Sequence, residues 1–164
     1  MDKALQIRSA VEQKIRTAFR GITLGAGISL RQAQLIDAPS RKQTESFTHE
    51  EITSDWSQVP LDELERDCVP HLDARGFRYY IPALMLSVLE HYDSASMRVV
   101  GTLAGLYPKK DKWEYHMHRY SLLDATQKNA IAEFLAGLPK LAELDSEGQK
   151  TVERALRNYW GEFL

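Results

Sequence analysis

Cys68 is the one cysteine among 164 residues, so no internal disulfide can form and nothing calls for an oxidising compartment. No run approaches the roughly 20 consecutive apolar residues that a membrane-spanning helix needs. The opening Met-Asp-Lys-Ala-Leu-Gln-Ile-Arg has no continuous apolar stretch, and no secretory signal is expected. An excess of either charge is also lacking. The formal net charge of −2 excludes the strong basic bias of bulk nucleic-acid or anionic-membrane binders. Internal repeats and low-complexity tracts are absent, and no boundary divides the chain. Hydrophobic residues at 43% and charged residues at 27% match a folded domain able to bury its own core. One soluble, cytoplasmic domain spanning residues 1–164 is expected.

What is present is helical periodicity. Ala4, Ile7, Val11, Ile15, Ala18 and Ile22 recur at three- and four-residue steps, one stripe of an amphipathic helix that Gly21 can stop. After the glycine-bearing connection, Ser29 and Gln32 have the spacing of a capping box for a helix to about residue 36. Residues 39–48 read as a polar loop, and Thr48 with Glu51 repeats the box. Trp56 is an expected anchor, and Pro60 can open a short helix over residues 61–67. Ile81, Leu84, Met85, Val88, Leu89 and Tyr92 predict the central buried helix. Pro82, lacking an N–H, must then mark its start, or a kink joining it to a separate turn over residues 74–80. Ser96 caps the next helix, closed by Pro108. Asp124 with Gln127 opens a helix over residues 125–138, and Asp145 starts a last one that is apolar to its end and therefore docks. Trp113, Tyr115 and Met117 alternate with Glu114, His116 and His118, a two-residue period that predicts an extended segment. The fold class is all-α, a compact multi-helix domain with at most one short extended segment near residues 113–118.

Candidate chemistry is sparse. Cys68-Val69-Pro70-His71 has ligand-like spacing, and His116 and His118 would share one side of an extended segment, so Cys68, His71, His116 and His118 form a candidate zinc set if they converge. The competing reading is a half-buried cysteine with packed or exposed histidines. Cys68 and His71 as nucleophile and base lack a third, orienting group. Gly25-Ala26-Gly27 ahead of a helix lacks the preceding strand and the remaining residues of a phosphate-binding loop. No catalytic residue and no cofactor is nominated.

Charge is sharply segregated. Residues 45–73 hold nine acids against one base, Arg66, while residues 1–44 hold eight bases against three acids. The acids could pair with the basic segment or form a hydrated face. Alternatively they form a docking surface for a protein with a basic face, with Glu50, Glu51, Asp55, Asp62, Glu63 and Glu65 as contacts. Paired carboxylates for metal or acid–base work would need a pocket in which to converge.

Three stretches, Leu24-Gly25-Ala26-Gly27-Ile28-Ser29-Leu30-Arg31, Asp55-Trp56-Ser57-Gln58-Val59-Pro60 and Gly76-Phe77-Arg78-Tyr79-Tyr80-Ile81-Pro82-Ala83, together with residues 123–135, resemble an uncharacterised family of small bacterial helical proteins classed as a domain of unknown function. The resemblance covers residues 19–138. It implies a bacterial cytoplasmic protein and carries no activity to transfer. By analogy of size, such proteins serve as immunity proteins beside toxins. Three readings result: a non-catalytic binding protein, in its specific form an immunity-type inhibitor of a toxin; a metal-dependent enzyme or metal sensor; and a structural or regulatory subunit that pairs with its own copy through Tyr159, Trp160 and Phe163.

Overall fold

The computed structural model describes residues 2–37, 55–66 and 68–164. The loop and capping box expected over residues 39–51, with Glu50 and Glu51, lie outside these. The described residues form eight α-helices and no strand: α1 (Lys3–Ala18), α2 (Leu30–Asp37), α3 (Leu61–Leu64), α4 (Ala74–Glu90), α5 (Met97–Gly105), α6 (Trp113–Tyr120), α7 (Ala125–Leu141) and α8 (Ser146–Asn158). Short 3₁₀ turns at Trp56–Gln58, Val69–His71, Lys110–Lys112 and Trp160–Phe163 join or extend them. None of the described helices is long and apolar enough to cross a membrane.

Helix starts obey local chemistry. The Gln32 backbone N–H donates to Ser29 Oγ at 3.1 Å while the Ser29 N–H donates to Gln32 Oε1 at 2.9 Å, the reciprocal box that opens α2. Asp124 and Gln127 repeat it for α7, and Asp145 accepts from the Gly148 N–H to start α8. α1 begins at Asp2, which accepts from the Ala4 N–H. It ends at Ala18, one turn short of the periodic pattern, because the chain turns through Gly21 at φ 76°. That left-handed conformation favours glycine.

The expected boundary at Pro82 does not exist. α4 runs unbroken from Ala74 to Glu90 with Pro82 inside it, so the helix starts two turns earlier than the proline suggested. Proline inside a helix costs about 3 kcal/mol. Thirteen of the 17 residues of α4 are buried, and each large apolar side chain so placed contributes roughly 1.5–3 kcal/mol. Burial on all sides therefore outweighs the lost hydrogen bond. α7 likewise continues through Pro139 to Leu141, beyond the expected end at residue 138.

The extended segment is also corrected. Residues 113–120 are helical, and the inward face consists of His116, Arg119 and Tyr120. Those positions follow a three- and four-residue step, but two of them are polar, so the buried stripe was hidden behind the aromatic alternation.

α4 is the hub, packed against α1, α3, α5, α6, α7 and the turn at Trp56–Gln58, while α1 lies along α7. One carboxylate joins the first and third family-like stretches. Asp73 Oδ1 accepts from the Ile28 N–H at 2.9 Å and from the Gly76 N–H at 2.8 Å. It thereby caps α4 and holds the glycine-bearing connection against it. The approach is close enough that a Cβ on Gly76 would lie 2.3 Å from the Ile28 carbonyl oxygen, and one on Gly27 would lie 2.7 Å from Arg75 Cβ. The second stretch joins through Trp56, which is 4% exposed and donates from Nε1 to the Phe19 carbonyl at 2.8 Å.

Gly76→Ala should therefore cost about 3 kcal/mol through backbone overpacking, lowering Tm by roughly 6–12 °C for a chain of this size. Gly21→Ala meets open space and should cost only about 1 kcal/mol, from its positive φ. Thermal unfolding of both variants checks this; equal small losses would contradict the close approach at Gly76.

Candidate functional site

Of the six nominated acidic contacts, four lie in the described residues, and they divide into two kinds. α3 turns Leu64 into the core at 4% exposure and Glu63 toward the body. Asp62 and Glu65 face outward and are exposed. Glu63 Oε1 accepts from Arg31 Nη2 at 2.6 Å, and its Oε2 accepts from Arg66 Nε at 3.1 Å. Arg66 also donates from Nη1 to Gln34 Oε1. Burial alone would raise the Glu63 pKa, but hydrogen bonds from Arg31 and Arg66, with their charges, hold the carboxyl below its ordinary value. Glu63 is thus a tie between α3 and α2. The acidic segment does draw on the basic N-terminal region, through Arg31 of α2.

Asp55 serves a local role as well. Its Oδ1 accepts from the Ser57 N–H at 3.0 Å and from Ser57 Oγ at 2.7 Å, which starts the turn that carries Trp56. The two Ser57 hydrogen bonds keep the Asp55 carboxyl below its usual range.

The four Cys and His candidates are not brought together. Cys68 is buried and its thiol donates to the Arg66 carbonyl at 3.1 Å. His71 is half-buried in the turn that follows. His116 points into the core while His118 is exposed, since two helical residues lie about 200° apart rather than on one side. Among the described residues no group of three His, Cys, Asp or Glu side chains is placed to hold a metal ion. The aromatic end of the chain is engaged internally. Trp160 is fully buried, with its Nε1 donating to the Leu106 carbonyl at 2.7 Å. Tyr159 stacks on Tyr120 at 5.6 Å, and Phe163 lies 5.3 Å from the Tyr159 ring.

Sequence reasoning missed two buried arginines. Arg119 donates from Nη2 to the Val69 carbonyl at 2.6 Å and from Nη1 to Tyr115 Oη at 3.2 Å. Its guanidinium lies 4.9 Å from the Phe77 ring centre, a favourable cation–π placement. Tyr115 in turn donates to the Pro70 carbonyl. Arg98 donates to Ser87 Oγ at 2.8 Å and to the His91 carbonyl at 2.9 Å. Burial lowers the pKa of both. In the helical frame of α6, Arg119 falls three residues after His116 and beside Tyr120, and that spacing was the signal available.

His116 supplies a pH dependence. Burial first, then the charges of Arg119, Lys112 and Lys109, lower its pKa from 6.5 to about 4. Between those values the unfolded chain binds a proton that the folded chain refuses, so stability falls as pH falls. From about pH 7 to about pH 5 the His116 contribution should drop by up to about 2 kcal/mol. Urea unfolding at both pH values checks this, and in His116→Asn the pH dependence should be smaller by that amount.

No curated protein and no solved structure matches the chain. A family model does match, over residues 7–164. That span takes in all of the described elements except the first residues of α1, Lys3 to Gln6, and the chain belongs to DUF6714, a family of unknown function.

Proposed function

We propose that this chain is a non-catalytic protein-binding protein that presents an acidic edge to a basic partner surface. The observation that supports this reading most directly is the division of labour on α3. Leu64 and the Arg31–Glu63–Arg66 tie anchor the helix, and Asp62 and Glu65 are thereby held outward on a braced support. Charges presented on a fixed backbone steer a partner and set its register with little ordering cost. The specific form we favour is an immunity-type inhibitor that covers a basic toxin surface in a bacterial cytoplasm. The segregated acidic segment and the small helical format support it.

The product of the reading frame beside its gene is the partner to test. Calorimetric titration should show a complex. In the double variant Asp62→Lys with Glu65→Lys, Kd should rise at least about tenfold, roughly 1.4 kcal/mol. Thermal stability should move by no more than exposed surface substitutions do, about 0.5 kcal/mol per site. Equal affinity of the reversed and native edges would reject this surface as the contact.

A further inference from the structure

A cleft between α5 and α8 shares no lining residue with the acidic edge. It encloses ≈ 330 Å³, at the lower end of the range for sites that hold small molecules. Its apolar middle is Val99, Val100, Leu103 and Ala104. Val99 and Leu103 are buried, whereas Val100 is 45% exposed, so the floor is packed and the wall is open to a ligand.

The cleft carries charges of both signs. Tyr92, Asp145 and Glu147 line it where α8 begins. The first turn of α8 is set against Tyr92 there, a Cβ on Gly148 lying 3.4 Å from Tyr92 Oη. Arg154, two turns further along α8, and Tyr107 and Lys109, which follow the end of α5, line the cleft as well. Glu147, Thr151 and Arg154 sit at three- and four-residue steps along α8, so they share one face. Seven residues separate Glu147 from Arg154, which places their backbones about 10 Å apart along the helix.

These groups are not used up by the fold. Among the described residues no carboxylate lies within ion-pair distance of Lys109 or Arg154; Lys109 makes a cation–π contact, 5.9 Å from the Tyr107 ring centre, and its charge also acts on His116. Glu147 makes one long ion pair, 3.8 Å to Lys150, with both side chains more than half exposed. Asp145 engages the Gly148 N–H through Oδ1. Hydroxyl donors and charges of both signs thus border one apolar floor.

We propose that this cleft binds a short free peptide in extended form, its ammonium at Asp145 and Glu147 and its carboxylate at Lys109 and Arg154. Three extended residues span about 10 Å, the spacing along α8 of Glu147 and Arg154, and the first and third side chains lie over Val99, Val100 and Leu103. A dipeptide spans about 7 Å and falls short of that spacing. A peptide with a blocked terminus forfeits one charged contact, and an internal segment of a protein has neither terminus to offer.

The test is isothermal titration of the full chain with trileucine, N-acetyl-trileucine, trileucine amide and dileucine. Trileucine should bind, and each of the other three should bind at least about tenfold more weakly. Glu147→Gln should reduce the penalty for acetylation and leave that for amidation, while Arg154→Gln should reduce the penalty for amidation and leave that for acetylation. Unfolding curves confirm that both variants are folded, and the crossed pattern of discrimination cannot arise from a merely structural role. No heat with trileucine, equal binding of the blocked peptides, or variants that weaken all peptides alike would overturn the proposal.

Discussion

Every helix ends with carbonyls that have no partner within the helix, and meeting that requirement organises this molecule. Side chains distant in sequence supply many of the missing donors. At the end of α1, Gln127 Nε2 donates to the Ala18 carbonyl and Trp56 Nε1 to the Phe19 carbonyl. At the end of α5, Tyr120 Oη donates to the Gly105 carbonyl and Trp160 Nε1 to the Leu106 carbonyl. At the end of α4, Arg98 donates to the His91 carbonyl. Each bond serves twice, because a buried orphan carbonyl is costly and because its donor brings a large side chain into the core. The helix ends are therefore the joints of the fold.

The same principle explains why polar and aromatic residues crowd the interior. Tyr120, Trp160, Arg98 and Gln127 are each at most 5% exposed, and each is held by a backbone carbonyl. Arg119 follows suit at Val69. The hydrogen bonds of these groups tie helix ends and turns to the core. Asp73 performs the complementary task at a helix start, collecting two N–H groups from segments 45 residues apart in the case of Ile28. The family-like stretches met in the sequence are, in space, the parts of the chain that close around α4.

The candidate site was legible only in part. The acidic run was visible as charge against charge along the chain, and the outward direction of Asp62 and Glu65 is compatible with it. That Glu63 is consumed by Arg31 and Arg66 was not visible, because the two arginines lie on opposite sides of it in sequence and one is 32 residues away. The cysteine and histidine set failed for a related reason. Its members were grouped by assuming an extended segment at residues 113–118, and a helix there sends His116 and His118 apart. The cleft between α5 and α8 left no sequence signal at all, since its walls are ordinary helix faces that acquire meaning only when paired.

Three helix starts were determined by the sequence itself: Ser29 with Gln32, Asp124 with Gln127, and Asp145 each bond within three residues, so spacing alone reveals them. The long amphipathic stripes were legible for the same local reason. Where helices end, whether a proline interrupts them and which polar side chains go inside were decided by tertiary structure. Pro82 and Pro139 sit within α4 and α7 because packing outweighs a local penalty. The termini of α1 and α5 stand where distant donors reach them, and that of α4 is met by Arg98, seven residues on. A cap is closed by neighbours in the chain, whereas a helix end in a packed core is closed by whatever the fold brings to it.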